Sequence, residues 1–239
     1  MIPIRDINPT SRAPVVTLVL ILTNVLIFLY QFTLDQSSFI EFVHQWGAIP
    51  AKFNPSMAEP EQLVAAVEGV QLGTVPPAVT LGSSMFLHGS WPHVLFNMLF
   101  LWIFGDNIED RLGRVRFIMF YLVAGIVATG VHIYTNQGSL IPVVGASGAV
   151  AGVLGAYLVS FPKARVMTWF PPIFIFPVPA FVFLLVWIGM ELVRGWFEIQ
   201  GLSDSMVATW AHVGGFACGV ILGIILSARD GFKTAKEAH

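Results

Sequence analysis

Six long apolar stretches constrain what this chain can fold into more than any other feature of its sequence. A helix of about 20 apolar residues crosses the hydrocarbon core of a bilayer, and 56% of the 239 residues are hydrophobic while only 11% are charged. Soluble domains average about 25% charged residues. The sequence therefore predicts an all-α membrane protein with a bundle of six transmembrane helices. At a window of about 19 residues the spans cover roughly 14–33, 86–105, 116–134, 144–161, 178–199 and 207–227.

A long loop, residues 34–85, joins the first two predicted helices. Apolar residues recur in its first part at near-helical spacing, which favours either a helix lying in the membrane interface or an ordinary packed loop helix. The first span lacks a small-residue cleavage site, so we interpret it as a retained helix and not as a signal peptide. The apolar residues of the loop are Phe39, Ile40, Phe42, Val43 and Trp46.

Basic residues are distributed unevenly around the six spans. If the spans alternate in direction, only Lys52 and Arg194 fall on one side of the membrane. Because cytoplasmic loops are enriched in Lys and Arg, the other side, with both termini, is predicted to be cytoplasmic. The net charge of −2 indicates no nucleic-acid partner, and the single cysteine, Cys218, excludes an intramolecular disulfide. The basic residues on the predicted cytoplasmic side are Arg5, Arg12, Arg111, Arg114, Arg116, Lys163, Arg165, Arg229, Lys233 and Lys236.

Two glycine-flanked polar residues lie inside these apolar stretches, Ser147 in the sequence GASG and His212 in the sequence AHVGG. Polar groups inside a membrane are costly and indicate function. Ser147 precedes Phe161 by 14 residues and His212 precedes Ser227 by 15, so both lie about 21 Å from the cytoplasmic ends of their helices. In a hydrocarbon core about 30 Å thick, that depth is roughly 10 Å below the outer surface. A serine and a histidine at one depth indicate hydrolysis, with Ser147 as nucleophile and His212 as general base.

Small residues border both polar positions. Such residues at every fourth position let helix backbones approach closely in lipid, although most stripes of this kind serve packing alone. Because the serine side chain is short, its oxygen reaches an imidazole only across a close helix pair. Gly215 and Gly219, together with Gly145 before the serine, are therefore predicted to be structural residues of the site. The stripes consist of Gly148 and Gly152 in span four and of Ala211, Gly215, Gly219 and Gly223 in span six.

A nucleophilic serine also needs hydrogen-bond donors for the developing oxyanion. His93 and Asn97 are four residues apart and share a helical face, and Asn97 lies at the depth of Ser147 if span two continues as a helix. We predict these two side chains and the backbone N–H groups of Ser147 and Gly148 as the donors. For Asn97 an interhelical structural hydrogen bond is the alternative, and His88 is predicted to have a capping or loop role and no chemical one.

No acidic residue is expected near that depth in any of the predicted spans. The sequence therefore predicts a Ser–His dyad in which packing, and not a carboxylate, orients the imidazole. No metal and no cofactor are expected, because the chain has no His-Glu-x-x-His helix and its histidines lack a local ligand motif. An aspartyl mechanism would need two intramembrane aspartates, and Asp106 lies near the cytoplasmic end without a partner. A six-span transporter would favour an internal repeat, which 1–120 and 121–239 do not show.

These motifs resemble those of rhomboid intramembrane serine proteases of the six-helix bacterial type. The resemblance covers nearly all of 80–228 and implies a single rhomboid-like domain over 1–239 with its core in that range. It also implies cleavage of single-pass transmembrane proteins, in the bacterial inner membrane, at small residues followed by helix-weakening ones. A catalytically inactive relative that only binds membrane proteins is the remaining alternative. The matching motifs are GASG at 145–148, Ala211-His212 with Gly215, the His-x4-His-x3-Asn pattern of His88, His93 and Asn97, and the turn at 105–113.

Two departures from the pattern concern the surroundings of the dyad. Some members of the family carry an aromatic residue one turn after the serine, which stacks on the histidine, whereas this chain has Ala151 there. Some also carry a Trp-Arg pair in the first long loop, which is absent here although Trp46 is nearby. The first departure leaves open how the His212 ring is held.

Overall fold

The computed structural model describes residues 1–54, 74–202 and 207–229. Lys233, Lys236 and residues 55–73 of the long loop lie outside these ranges. Within them the chain forms eight α-helices, two short 3-10 turns and three strands. The helices are α1 (Val15–Thr33), α2 (Gln36–Trp46), α3 (Pro77–Ser83), α4 (Trp91–Leu112), α5 (Arg114–Thr135), α6 (Ser147–Ser160), α7 (Ala180–Ile199) and α8 (Thr209–Arg229), and the 3-10 turns are Pro50–Phe53 and Ser84–Phe86.

Each of the six predicted spans corresponds to one of the longer helices. Among the described residues, α1, α5, α7 and α8 are long and apolar enough to cross a membrane. Helix α6 is apolar but has only 14 residues, about 21 Å, which is shorter than the hydrocarbon core. The prediction of an all-α membrane protein is confirmed, with the addition of one small sheet.

Two of these helices begin later than the sequence predicts. Helix α4 begins at Trp91 and not near residue 86, because Ser90 caps it by accepting a hydrogen bond from the His93 N–H at 3.4 Å. Helix α6 begins at Ser147 and not near residue 144, since Gly145 has a φ of +123°, outside the helical range. Helix α4 also continues unbroken to Leu112, which is the condition that the depth of Asn97 required.

The long loop after α1 contains a helix, as both alternatives for its apolar residues predict. Asp35 caps α2 by accepting a hydrogen bond from the Ser38 N–H at 2.9 Å. After α2, the backbone of Ala48 pairs with that of Val143 in the α5–α6 connection. This pairing connects the first long loop to the segment that leads into Ser147.

A three-stranded antiparallel sheet in the order β1-β2-β3 was not predicted from the sequence. Strand β1 (Ile2–Ile7) pairs with β2 (Arg165–Phe170), which pairs with β3 (Phe174–Pro179). Strand β3 contains Pro177 and Pro179 and is an edge strand of this sheet, where proline is tolerated.

Strand β1 and the C-terminal ends of α4, α6 and α8 meet at one end of the bundle, here called the basic end. The Asp6 carboxylate accepts hydrogen bonds from Tyr157 Oη at 2.6 Å and from Asn107 Nδ2 at 3.1 Å. Arg111 of α4 donates to Ser227 Oγ of α8 at 2.9 Å. Three helices that end together run in the same direction, as six alternating spans require.

The carboxyl of Asp6 makes the stability of this end depend on pH. Burial, the largest cause, and the nearby Asp106 carboxyl raise the pKa of Asp6 from 3.8 to about 6, against the lowering effect of the Tyr157 hydrogen bond. Because the folded-state pKa is the higher one, the stabilising contribution is complete below about pH 4 and is lost as the pH rises through 6.

We therefore expect Asp6→Asn to raise the melting temperature at pH 8, because the uncharged amide keeps an oxygen for Tyr157 and removes the buried charge. The gain should shrink at pH 4.5, where Asp6 of the folded protein is protonated. Thermal unfolding in detergent at the two pH values measures it, and a gain that is the same at both would contradict this role of Asp6.

Helices α5, α6 and α8 pack at backbone distance through their small residues. A Cβ placed on Gly215 would lie 2.0 Å from the Gly148 carbonyl oxygen, and one on Gly219 would lie 1.9 Å from the Gly152 oxygen. A Cβ on Gly148 would lie 2.6 Å from the Cβ of Ala128. Only glycine fits at these positions, so the small-residue stripes predicted from the sequence are the contact surface of α6 and α8.

Candidate active site

Ser147 is the first residue of α6, and its position follows from the two residues before it. The backbone N–H of Gly145 donates to the Ser84 carbonyl at 2.9 Å, and Ala146 is fully buried, so the segment that precedes the helix is fixed. The first N–H groups of a helix have no acceptor within it. The N–H groups of Ser147 and Gly148 are therefore at the positive end of the α6 dipole, next to the half-buried Ser147 hydroxyl.

His212 lies in the first turn of α8 and is 9% exposed. A Cβ on Gly148, the residue after the serine, would lie 3.7 Å from both the Cβ and the carbonyl oxygen of Ala211, the residue before the histidine. The structure thus brings the two motifs into contact. Among the described residues, the side-chain hydrogen bond of His212 goes to a different group, Glu191, and none joins His212 to Ser147.

Glu191 of α7 corrects the prediction that no acidic residue lies near the site. Its Oε2 is 3.0 Å from His212 Nδ1, and the residue is 5% exposed. The depth count that placed Ser147 would have found it, because Ile199 ends α7 eight residues later and Glu191 is therefore about 12 Å from that end. The count was applied only to the three spans that run toward the basic end, and α7 runs away from it.

An aromatic ring on α7 contacts the histidine where α6 has only Ala151. The centroid of the Trp187 ring lies 5.8 Å from that of His212, with 38° between the ring planes. Trp187 also packs against Phe216, one turn after His212, at 6.0 Å. Trp187 was not predicted, because the family resemblance indicates an aromatic partner one turn after the serine, on α6 alone.

His93 and Asn97 lie beside the segment that precedes Ser147. A Cβ on Gly145 would be 2.6 Å from His93 Nε2 and 3.7 Å from Asn97 Nδ2, so glycine allows both side chains to approach. Asn97 Nδ2 is 3.0 Å from His88 Nε2, to which it donates a hydrogen bond. One N–H of the Asn97 amide therefore has a structural partner, and the other is left for a further acceptor.

His88 is fully buried, and its backbone is fixed by Gln31 of α1. The Gln31 Oε1 accepts from the His88 N–H at 3.0 Å, while Gln31 Nε2 donates to the His88 carbonyl at 3.3 Å. The His88 ring packs edge-on against His93, with centroids 5.0 Å apart. Its contacts are those of a residue that supports Asn97 and His93 from behind.

The described groups form a site assembled from four helices. Helix α6 provides a serine hydroxyl and free N–H groups, α8 an imidazole, α7 a carboxylate and an indole, and α4 an amide and a second imidazole. His93 of α4 and His132 of α5 are also near enough to His212 to interact with it electrostatically. A hydroxyl, a base and several donors around one point can carry out acyl transfer.

The fold and this site are those of a polytopic membrane protein with a half-buried serine and a buried histidine at the contact of two helices. A family profile described as "Rhomboid domain" matches residues 77–229, which is more than half of the chain. The chain belongs to the rhomboid family.

Several curated relatives are similar to this chain. Rhomboid protein 1, mitochondrial, of Saccharomyces cerevisiae is 30% identical over 167 residues, which are 66% of this chain and 44% of that protein. Presenilin-associated rhomboid-like protein A, mitochondrial, of Danio rerio is 34% identical over 140 residues, 57% and 34% of the two chains. RHOMBOID-like protein 4 of Arabidopsis thaliana is 28% identical over 197 residues, 80% and 45%. The chain spans less than half the length of these relatives, and their names do not support the predicted bacterial inner membrane.

Proposed function

We propose that this protein is an intramembrane serine endopeptidase in which Ser147 is the nucleophile and His212 the general base. The observation that carries the proposal is the start of α6 at Ser147, directly against the first turn of α8. A helix that begins there presents a hydroxyl and free N–H groups together, and the close packing of Gly148 against Ala211, the residue before His212, supports an approach of the imidazole to them. Membership of the rhomboid family supports the same activity.

The reaction follows from this placement. His212 Nε2 takes the proton of Ser147 Oγ as the oxygen attacks the peptide carbonyl. The oxyanion is stabilised by the N–H groups of Ser147 and Gly148 and by the side chains of His93 and Asn97, with the α6 dipole adding to them. The protonated imidazole then gives its proton to the leaving amine, and water hydrolyses the acyl-enzyme by the same steps.

The substrate class is inferred from the depth of the site. A peptide bond must reach a serine roughly 10 Å below the membrane surface, and a transmembrane helix must unwind locally before its carbonyl is open to attack. Helices α4 and α7 contact each other through Phe100 and Phe183, while Phe96 and Trp196 nearer the other end are exposed. We infer that single-pass membrane proteins enter between those halves of α4 and α7.

The orientation in the membrane is part of the proposal. Strand β1 and the C-terminal end of α8 are both at the basic end, and the excess of Lys and Arg on that side supports a cytoplasmic location for both termini. Ser147 then opens toward the opposite side.

The test is cleavage of model single-pass substrates by the protein in liposomes, together with labelling by a fluorophosphonate. The expected result is cleavage within the substrate's membrane segment and one label, located by mass spectrometry on the peptide that contains Ser147. A folded protein that binds these substrates but neither cleaves nor labels would favour an inactive, binding relative.

Gly215 provides a prediction about the contact of α6 and α8. We expect Gly215→Val to lower cleavage at least about 100-fold, because forcing two helices apart by even about 1 Å can cost that much, and overpacking also costs about 1–3 kcal/mol of stability. Ile224→Phe is the matched control on the same helix, since Ile224 is 54% exposed. Cleavage rate and melting temperature are measured for both, and full activity in a folded Gly215→Val protein would contradict the proposed contact.

A further inference from the structure

The carboxylate of Glu191 lies within hydrogen-bond distance of the His212 ring. It is almost fully buried on α7, and its Oε2 lies 3.0 Å from Nδ1 of His212 on the neighbouring helix α8. Nδ1 is the ring nitrogen that does not act on the serine in the proposed mechanism. A carboxylate in a membrane segment is costly and by default indicates function. The position of Glu191 beside Nδ1 therefore indicates a function that involves the His212 ring.

We propose that Glu191 is the positioning residue of His212, so that the site is a Ser147–His212–Glu191 triad and not a dyad. The inference rests on the proposed protease function. An ionised carboxylate can only accept a hydrogen bond, so Glu191 keeps the proton of the neutral ring on Nδ1. Nε2 is then left with its lone pair for the Ser147 proton. When His212 takes that proton, the same carboxylate stabilises the imidazolium that forms.

Arg194, one turn after Glu191, holds the carboxylate from its other side. Its Nη1 donates to Oε1 at 3.2 Å and lies 3.4 Å from Oε2. The Arg194 side chain is 43% exposed while that of Glu191 is 7% exposed, so the arginine links a buried carboxylate to the surface. Because an unpaired buried charge is strongly destabilising, Arg194 offsets part of the cost of burying the Glu191 carboxylate and helps to fix its orientation.

Trp187 limits the tilt of the His212 ring. It is four residues before Glu191 and therefore on the same face of α7, and its ring lies against His212. The hydrogen bond sets which ring nitrogen carries the proton, and the indole limits the tilt of the ring. Together they do from α7 what an aromatic residue at position 151 would do from α6. Among the described residues, two other titratable groups interact with His212, namely His93 and His132. Both are imidazoles, so neither could replace the carboxylate of Glu191.

The first test is the tautomer of His212, which needs no catalytic turnover. In 15N-histidine-labelled protein, the His212 signal is assigned by its absence from His212→Ala. We expect neutral His212 of the wild type to carry its proton on Nδ1, and the Nε2–H form to become populated in Glu191→Ala. A wild-type ring that is protonated on Nε2, or a tautomer that is unchanged in Glu191→Ala, would overturn the proposal even if other variants prove unstable.

The second test separates positioning from structure through kinetics. Losing the carboxylate of a Ser–His–Asp triad costs up to about 10,000-fold in kcat, and we expect Glu191→Gln to lower kcat at least about 100-fold while KM stays within about threefold. Glu198→Gln is the matched control, because Glu198 is on the same helix and accepts a hydrogen bond from Thr209 Oγ1 at 2.5 Å, away from the histidine. It should keep kcat near the wild-type value.

The outcomes distinguish this proposal from the one it rests on. A wild-type protein that neither cleaves nor labels overturns the protease function and this role with it. An active wild type whose Glu191→Gln variant retains kcat within about threefold overturns the role of Glu191 alone. A low kcat in Glu191→Gln, normal kcat in Glu198→Gln and an altered tautomer support it.

Discussion

Ser147→Ala is expected to abolish cleavage while leaving the fold intact. Removal of the serine or the histidine of a catalytic triad costs about 10⁶-fold in kcat in a serine protease, and the residual activity here should be below detection. The substitution removes one oxygen from a half-buried side chain that has no hydrogen bond to His212, so little packing is lost. Cleavage of a model substrate in liposomes and thermal unfolding in detergent measure the two effects.

Ser160→Ala is the matched control for this variant. Ser160 is the last residue of the same helix and is also half-buried, but it is at the basic end, far from the site. Ser160→Ala should retain full activity, and it should be labelled by the fluorophosphonate to the same extent as the wild type. Near-native cleavage by Ser147→Ala would overturn the proposed mechanism, because no other group at the start of α6 can act as nucleophile.

His212→Ala is expected to reduce activity by about as much as Ser147→Ala, since the two residues act as a unit. Asn97→Ala should be milder, because loss of one oxyanion donor costs about 100- to 1,000-fold while the other donors remain. It should also lower the melting temperature, since it leaves the Nε2 of the buried His88 without its hydrogen bond, at a cost of about 1–3 kcal/mol.

The order of these variants tests the assigned roles. Activity and melting temperature of His212→Ala, His93→Ala and Asn97→Ala are compared under the same conditions, with fluorophosphonate labelling as a second measure of the serine's reactivity. A variant at Asn97 that is less active than His212→Ala would contradict the roles assigned to the two residues.

The main architecture was predictable because the bilayer restricts the chain to a few solutions. Apolar length located all six helices, and the basic residues gave their alternating direction, which the meeting of β1 with the ends of α4, α6 and α8 bears out. The small-residue stripes predicted the close contact at Gly215 and Gly219. Each of these predictions rests on a property shared by many residues, namely apolar length, the distribution of charge or small side-chain size. A wrong assignment of one residue therefore does not change the prediction.

What the sequence did not reveal depends on single residues. The first residues of α4 and α6 are set by the Ser90 cap and by the positive φ of Gly145. A hydropathy profile contains no information on capping or on backbone angles. The β1–β2 pairing joins segments about 160 residues apart, and no local pattern announces such a partner. Glu191 was overlooked because the depth count covered only the spans that run toward the basic end, and α7 runs away from it. The count could have placed Glu191 at the right depth, but only the tertiary structure shows that its carboxylate contacts His212.

The histidine's orientation depends on a helix that is itself only partly enclosed. In the 18-residue apolar stretch of α7, 28% of the residues are buried inside the protein, against 44% in that of α8. If Glu191 positions His212, acyl chains that press α7 against α8 regulate turnover directly. Bilayers that differ in thickness or lateral pressure are then expected to change kcat of the wild-type protein at constant melting temperature, and the lipid becomes an allosteric effector of the base.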